Sequence, residues 1–319
     1  MTPARLILFE GLPGSGKTTT AQQVWLGLEA LGRPARWWFE HELGHPILDY
    51  EQARRARAPG SADAKLIFER AQAGWRTLAG QLRAGGETVI LEGTLFQTTV
   101  GTQLLMDLPR AEIAAHFDRT MEIIARLAPA LVCLWQPAAS AALRRACAHR
   151  QPWFEEFLLR EFAATVRGQR LGRAEFADVE AYFDERQAVS AELMERWPGP
   201  KLVHDNADGD WARQRRAVEE FLGLPPGRKP APPAGVGDFT GRYRAETGDE
   251  LRVAEDGQGL YLADEAGTRL LPHGPDAFVV QALCVELVFD RDPAGAVLAI
   301  SCRGALPGLA PHWPRVSAD

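Results

Sequence analysis

The sequence predicts an α/β fold: a parallel sheet of five strands with helices on both faces, followed by a small antiparallel β-barrel-like C-terminal domain. Three observations carry this. An apolar run, Leu6 to Phe9, ends in Gly11-Leu12-Pro13-Gly14-Ser15-Gly16-Lys17-Thr18, and the residues to about Leu31 suit a helix. Strand, glycine loop and helix in that order make G-x-x-x-x-G-K-[ST] a phosphate-binding P-loop. Further short runs, apolar throughout, alternate with helical segments, as in a parallel sheet covered on both faces. Composition then changes at 223–237, GLPPGRKPAPPAGVG, where proline is too dense for a helix and favours an extended spacer.

Taken in order, Pro34 to Glu40 reads as a second strand, dense in aromatics. Residues 41–60 read as a loop with a short helix. Ser61 is placed to cap a long helix to about Ala84, with Ile67, Ala71, Trp75, Leu78 and Leu82 forming one apolar stripe. Gly85-Gly86 stops it, and Thr88 to Leu91 is a third strand ending in Glu92-Gly93-Thr94. Helices are predicted at about 98–107 and 110–127, then a fourth strand from Ala130 to Trp135. A helix to about Arg150 follows, a break at Gln151-Pro152, and helices at about 153–167 and 174–197. Lys201 to His204 is a fifth strand, before Asp205-Asn206 and a helix at about 209–222. The first domain is thus 1–222 and the linker 223–237. Residues 238–304 hold alternating runs near 240–244, 250–254, 259–262, 278–281, 285–289 and 297–302. Turn signals, Ala266-Gly267 among them, separate these runs. The tail, 305–319, is expected to be loose.

Composition narrows the function. Hydrophobic residues make up 46% and charged residues 24%, as in a soluble protein with a real core. A formal net charge of -6 argues against a general nucleic-acid binder. Cys133, Cys147, Cys284 and Cys302 form no C-x-x-C pair and read as reduced thiols rather than a disulfide or zinc framework. No apolar stretch is long enough to span a bilayer, and no signal peptide is read at the start of the chain. A cytoplasmic protein acting on a small molecule is expected, with neither nucleic acid nor membrane as partner. A homodimer is left open.

Ligands of parallel α/β sheets bind beyond the carboxyl ends of the strands. Those ends carry Glu10 with the P-loop, Glu40, Glu92, Gln136 and Asp205-Asn206. In the loop, Gly11 through Thr19 would bring backbone amides to phosphate oxygens, and the helix that opens there adds its positive end. Lys17 would reach the β- and γ-phosphates and Thr18 would offer a hydroxyl to Mg²⁺. Glu92, at the end of an apolar strand, is costly unless a metal-bound water or a cation partners it, which suits Mg²⁺ organisation. Glu40 is the candidate base for an acceptor hydroxyl, with Glu42 as alternative. Asn206 is a candidate for the side of the adenine base. His41-Glu42-Leu43-Gly44-His45 matches H-E-x-x-H, the zinc hydrolase pattern. Gly44 and Pro46 argue against the helix it needs. Trp37-Trp38-Phe39 is either a stacking platform for a flat acceptor or, more simply, core.

With FEGLPGSGKTTTA and carboxylates ending strands two and three, residues 1–222 resemble the P-loop kinases of nucleosides and nucleotides, above all the thymidylate kinase and deoxyribonucleoside kinase group. LRRACAHR, 143–150, is similar to the helix leading into their arginine-bearing lid. The resemblance implies a P-loop NTPase fold under a mobile lid, transfer of the γ-phosphate of ATP, and Arg145 and Arg150 as phosphate-contacting residues. Glu-Arg-Ser or Asp-Arg, which those kinases carry after strand three, is replaced here by Glu92-Gly93-Thr94, so their substrate contacts do not transfer. Residues 238–304 resemble small β-barrel domains appended to some β-lactamase-like serine hydrolases, through Phe239-Thr240-Gly241-Arg242-Tyr243 and Val288-Phe289-Asp290-Arg291-Asp292. No such hydrolase accompanies them, so no role is implied.

The expectation is an ATP- and Mg²⁺-dependent small-molecule kinase, with Lys17, Glu40, Glu92, Arg145 and Arg150 as its catalytic residues. The acceptor would be a hydroxyl or phosphate of a nucleoside-like molecule. A nucleotide-binding regulatory NTPase with a ligand- or protein-binding barrel is the alternative, and a zinc hydrolase the remote one. The P-loop sees only phosphates, so ATP and GTP are not told apart.

Overall fold

The structure is a computed structural model that describes residues 4–150, 152–227, 230, 235–263, 268–304 and 309–316. Two compact units emerge, one of residues 1–21, 33–41 and 45–226, the other of residues 22–32, 42–44 and 227–319.

The first unit is built on five parallel strands: β1 (Leu6–Gly11), β2 (Ala35–Trp38), β3 (Thr88–Glu92), β4 (Ala130–Trp135) and β5 (Lys201–Asp205). Their order is β2-β3-β1-β4-β5. β1 and β3 lie side by side with Phe9 opposite Glu92, which brings the P-loop and the Glu92 carboxylate to one edge. β1, β3 and β4 are buried along almost their whole length, as their unbroken apolar runs require. β5 departs from that reading. It is an edge strand with alternate residues exposed, Val203 among them, because no strand lies beyond it.

The helices are α1 (Lys17–Glu29), α2 (Tyr50–Ala56), α3 (Ile67–Ala84), α4 (Gly101–Leu105), α5 (Arg110–Ile124), α6 (Ala139–Arg150), α7 (Pro152–Ala163), α8 (Val166–Arg170), α9 (Phe176–Met194) and α10 (Trp211–Leu222). Three of them correct the sequence reading. Ser61 caps a short 3-10 turn, Ala62–Lys65, and not the long helix, which starts at Ile67. The expected stripe of α3 does face the core. The segment after β3 is a turn of π-helix, Thr94–Val100, running into the short α4, where one continuous α-helix from about 98 was expected. The single helix expected at 153–167 breaks into α7 and α8, with the Thr165 side chain capping the second.

In the second unit β6 (Gly241–Arg244), β7 (Glu250–Asp256), β8 (Gly259–Leu262), β9 (Thr268–Pro272), β10 (Ala277–Val280), β11 (Glu286–Arg291), β12 (Val297–Arg303) and β13 (His312–Pro314) form one antiparallel sheet in sequence order. An antiparallel bridge from Tyr243 to Arg315 joins its two ends, so the sheet is a nearly closed barrel. Phe239, Tyr243, Phe278 and Phe289 fill it, with ring centroids 4.7 to 5.9 Å apart. The Tyr243 hydroxyl donates to Phe239 O at 2.8 Å, which satisfies its one buried polar atom. Gln22, which belongs to this unit, donates to Val280 O and accepts from Ala282 N. Two strands were missed: β9, and β13 in the tail expected to be loose. β13 hydrogen-bonds along β12, with Trp313 buried. Gln151, linker residues 228–229 and 231–234, the Ala266-Gly267 turn, and tail residues 305–308 and 317–319 lie outside the described residues. No helix among the described residues is long and apolar enough to cross a membrane.

Two glycines of α3 give opposite expectations. A Cβ on Gly74 would run into the Pro46 carbonyl, whereas one on Gly80 would meet nothing within 4 Å. Gly80→Ala should therefore raise stability by about 0.5–1 kcal/mol through helix propensity. Gly74→Ala should lower it by about 1–3 kcal/mol through overpacking. Urea unfolding midpoints of the two variants check both signs.

Candidate active site

The P-loop sits where β1 hands over to α1. Gly14 and Gly16 have φ of 78° and 80°, a conformation that glycine adopts without strain. A Cβ on Gly16 would lie 2.7 Å from the Trp211 ring, and one on Gly14 3.2 Å from the Ala146 Cβ. α10 and α6 are thus packed directly on the loop. Ser15 Oγ is buried without a hydrogen bond among the described residues. The first turn of α1 holds no acidic residue, so nothing there offsets the positive end of the helix.

Asn206 occupies a different place from the one expected. It is buried behind the loop, where Nδ2 donates to Ser15 O at 2.6 Å and to Gln214 Oε1 at 2.8 Å. Gln214 in turn donates to Thr20 Oγ1 at 2.8 Å. The amide is a brace for the P-loop rather than a side chain facing a base. The exposed aromatic at this end is Trp211, which the sequence reading passed over.

Lys17, Glu40 and Glu92 converge. Lys17 Nζ lies 3.7 Å from Glu40 Oε2, and the Thr18 hydroxyl donates to Glu92 Oε1. β2 ends at Trp38, so Glu40 stands in the turn beyond the strand rather than at its last position. Its other contacts hold it there: Gln97 Nε2 donates to Oε2, and His41 Nε2 is 3.2 Å from Oε1. Glu40, and not Glu42, is the carboxylate paired with Lys17. Burial by itself would raise the Glu40 carboxyl. Lys17, His41 and Arg186 together outweigh it and hold the group well below the usual carboxylate range. Burial pushes Glu92 up and the Glu40 charge adds to this, against Lys17 and the Thr18 hydroxyl. Lys17, His41 and Arg186 favour the charged form of Glu40, whereas burial and the Glu40 charge disfavour that of Glu92, so the two carboxyls are pushed in opposite directions. Glu92 Oε2 is buried and completes no hydrogen bond of ordinary geometry among the described residues.

Glu10 braces the same corner. It is buried at the end of β1, accepting from Leu95 N at 2.7 Å and Gln97 N at 3.1 Å. Burial pushes its carboxyl up to about 7, against these amides. A charged residue at the end of an apolar strand was visible in the sequence, but its partners lie 85 and 87 positions away. Gly93, between Glu92 and the π-turn, has φ of 60°, and a Cβ there would come within 2.5 Å of Glu40 Oε2. No side chain fits after Glu92 while Glu40 is in place.

The arginines of α6 stay outside this cluster. Arg145 and Arg150 are exposed, and Arg150 stacks over Phe154 at 4.5 Å. Arg144 is paired with Glu180 at 2.5 Å. The arginine that does reach inward is Arg186 of α9, which the sequence reading missed. It lines a cavity with Gly11, Leu12, Gln97 and Gln136.

The H-E-x-x-H match is not on a helix. Residues 41–45 form turns, and Gly44 has φ of 74°. His45 Nδ1 accepts from Ile47 N at 3.3 Å and Leu48 N at 3.4 Å, which leaves the proton on Nε2, 3.3 Å from Thr94 Oγ1. Both nitrogens are engaged, and no group of three potential metal ligands occurs among the described residues. Trp37 and Phe39 are buried against each other at 6.0 Å, as core.

No protein-family model matches the chain, and no curated protein matches it. Among solved structures it is similar to deoxyadenosine kinase from M. mycoides with bound dCTP, at 16% identity over 68% of this chain and 98% of that one, with a TM-score of 0.38. It is also similar to deoxyadenosine kinase from M. mycoides with bound dATP, at 13% identity over the same shares, with a TM-score of 0.41.

His45 gives the site corner a pH dependence. Burial pushes its imidazole from 6.5 down to about 4. Between those values the unfolded chain binds the proton and the folded one does not. Stability should therefore fall as pH drops through this window, by on the order of 3 kcal/mol if His45 acted alone. His45→Gln should flatten that part of the profile, as denaturant midpoints at pH 7 and pH 4.5 would show.

Proposed function

We propose that the protein is an ATP- and Mg²⁺-dependent small-molecule kinase. It transfers the γ-phosphate to a hydroxyl or phosphate of a nucleoside-like acceptor. The observation that carries this reading is the meeting of the P-loop lysine with Glu40, beside the Thr18–Glu92 contact. Phosphoryl transfer asks for positioned phosphates, positive charge and a base at the acceptor, and little covalent chemistry.

The loop amides from Gly11 to Thr19 and the start of α1 hold the triphosphate. In the free protein Lys17 is spent on Glu40. A bound triphosphate draws Lys17 to its β- and γ-oxygens and frees the Glu40 carboxylate, whose basicity then rises. Glu40 takes the proton of the acceptor hydroxyl as its oxygen bonds to the γ-phosphorus and the bond from that phosphorus to the bridging oxygen breaks, releasing ADP. Gln97 and His41 hold Glu40 in position for this. Mg²⁺, a hard cation that prefers oxygen ligands, fits Thr18 and Glu92, whose oxygens already touch and one of which is unspent; bound there it would neutralise charge on the phosphates. Arg145 and Arg150, exposed on a helix packed against Gly14, are free to add charge over the nucleotide as a lid would.

The absent arginine after Glu92 favours a second reading, a regulatory NTPase that hydrolyses ATP slowly. Acceptor dependence separates the two. ATP consumption with Mg²⁺ should be stimulated by at least one member of a panel of nucleosides, nucleoside monophosphates, sugars and aminoglycosides. Lys17→Ala should abolish it. Glu40→Gln should keep nucleotide binding and lower kcat by about 10²–10⁴-fold. Slow hydrolysis that no acceptor stimulates would replace the kinase with the regulator.

A further inference from the structure

Arg186 is a buried guanidinium with no carboxylate in direct contact; the Glu40 charge acts on it from beyond ion-pair range. It is 6% exposed, and among the described residues no carboxylate lies within ion-pair distance of it. The arginines that meet α9 from other helices differ: Arg144 of α6 pairs with Glu180 and Arg167 of α8 with Glu185. Two rings hold Arg186 instead, Phe183 at 4.5 Å and Tyr182 at 5.8 Å from the guanidinium carbon. A cation–π contact orients a guanidinium but leaves its N–H groups unspent. A buried guanidinium whose N–H groups meet no carboxylate directly is a reason to look for a ligand.

The place of the side chain says which ligand. Arg186 shares a cavity with Gly11 and Leu12 of the P-loop and with Gln97. Gln97 donates to Glu40, and Glu40 pairs with Lys17. The guanidinium therefore lines a cavity at the foot of the P-loop, and its charge is felt at Glu40. Position 93 provides no cation: it is a glycine in the left-handed region, and a Cβ there would displace the Glu40 carboxylate.

We propose that Arg186 is a catalytic residue whose guanidinium binds the oxygens of the phosphoryl group in transfer, supplying from α9 a positive charge that Gly93 does not. This rests on the kinase reading and adds to it the group that stabilises the transferring charge. A planar fork of N–H donors matches phosphoryl oxygens two at a time, and its fixed stacking on Phe183 means that it need not reorganise when charge develops. Charge passes from Lys17, on the nucleotide side, to Arg186, on the acceptor side.

The test uses full-length protein with ADP, Mg²⁺ and aluminium fluoride, which mimics the phosphoryl group in flight, and reads retention of ADP on a desalting column. Wild type should retain ADP with aluminium fluoride and release it without. Arg186→Ala should bind ADP alone within about 3-fold of wild type by calorimetry and lose about 10²–10³-fold in trapping. Arg186→Lys, which keeps the charge and stem, should trap partially, and it stands in if Arg186→Ala does not fold by circular dichroism. Trapping by Arg186→Ala equal to wild type would overturn the proposal. So would a folded Arg186→Ala that no longer binds ADP, since the residue would then be a structural pillar. Wild type that binds ADP but traps nothing also overturns it, while leaving the P-loop assignment in place. Wild type that binds no ADP would remove the kinase reading and this proposal together.

Discussion

Two carboxylates, Glu40 and Glu92, are buried against one lysine, and this imbalance organises the rest of the site. A buried carboxylate is tolerated only when a cation, a metal or a set of donors answers it. Lys17 answers Glu40, and the Thr18 hydroxyl and the Trp37 side chain favour the charged form of Glu92. The parallel sheet makes this possible. It brings β1 and β3 side by side, so the loop after one strand and the carboxylate ending the other meet without any long connection.

Glycine and glutamate shape the corner beyond β3. Gly93 turns the chain in the left-handed region and leaves the space that Glu40 takes. Glu10 then gathers the amides of Leu95 and Gln97, which holds the π-turn and aims the Gln97 side chain back at Glu40. The effects chain together. The same turn that carries Gly93 after Glu92 supplies the amide that steadies Glu40.

Much of the fold was legible because it depends on local pattern. Apolar runs of strand length, the stripe of α3 and the strict loop motif each report on their own few residues. The departures have one cause, which is contact at long range. Ser61 has the right chemistry for a cap, yet packing starts the long helix six residues later. Asn206 ends a strand in the expected place, but Ser15 and Gln214 claim its amide. The H-E-x-x-H match was spoiled by its own glycine and proline, and the folded chain uses His45 as an acceptor for two backbone amides. β13 was hidden because three residues, the last of them a proline and with another proline just before, show no alternation, and only the open edge of β12 makes them a strand.

The sequence by itself determined that this chain makes a glycine loop of the phosphate-binding pattern between a buried strand and a helix, with acidic residues at neighbouring strand ends and a β-rich unit to follow. Periodicity, glycine chemistry and motif spacing are properties of adjacent residues. Only the tertiary structure decided which carboxylate meets Lys17, that Asn206 braces the loop, and that Arg186, and not Arg145 or Arg150, stands beside Glu40. Those outcomes depend on which side chains share a buried volume. Whether a charge survives there is set by the summed burial and partners of residues far apart in the chain.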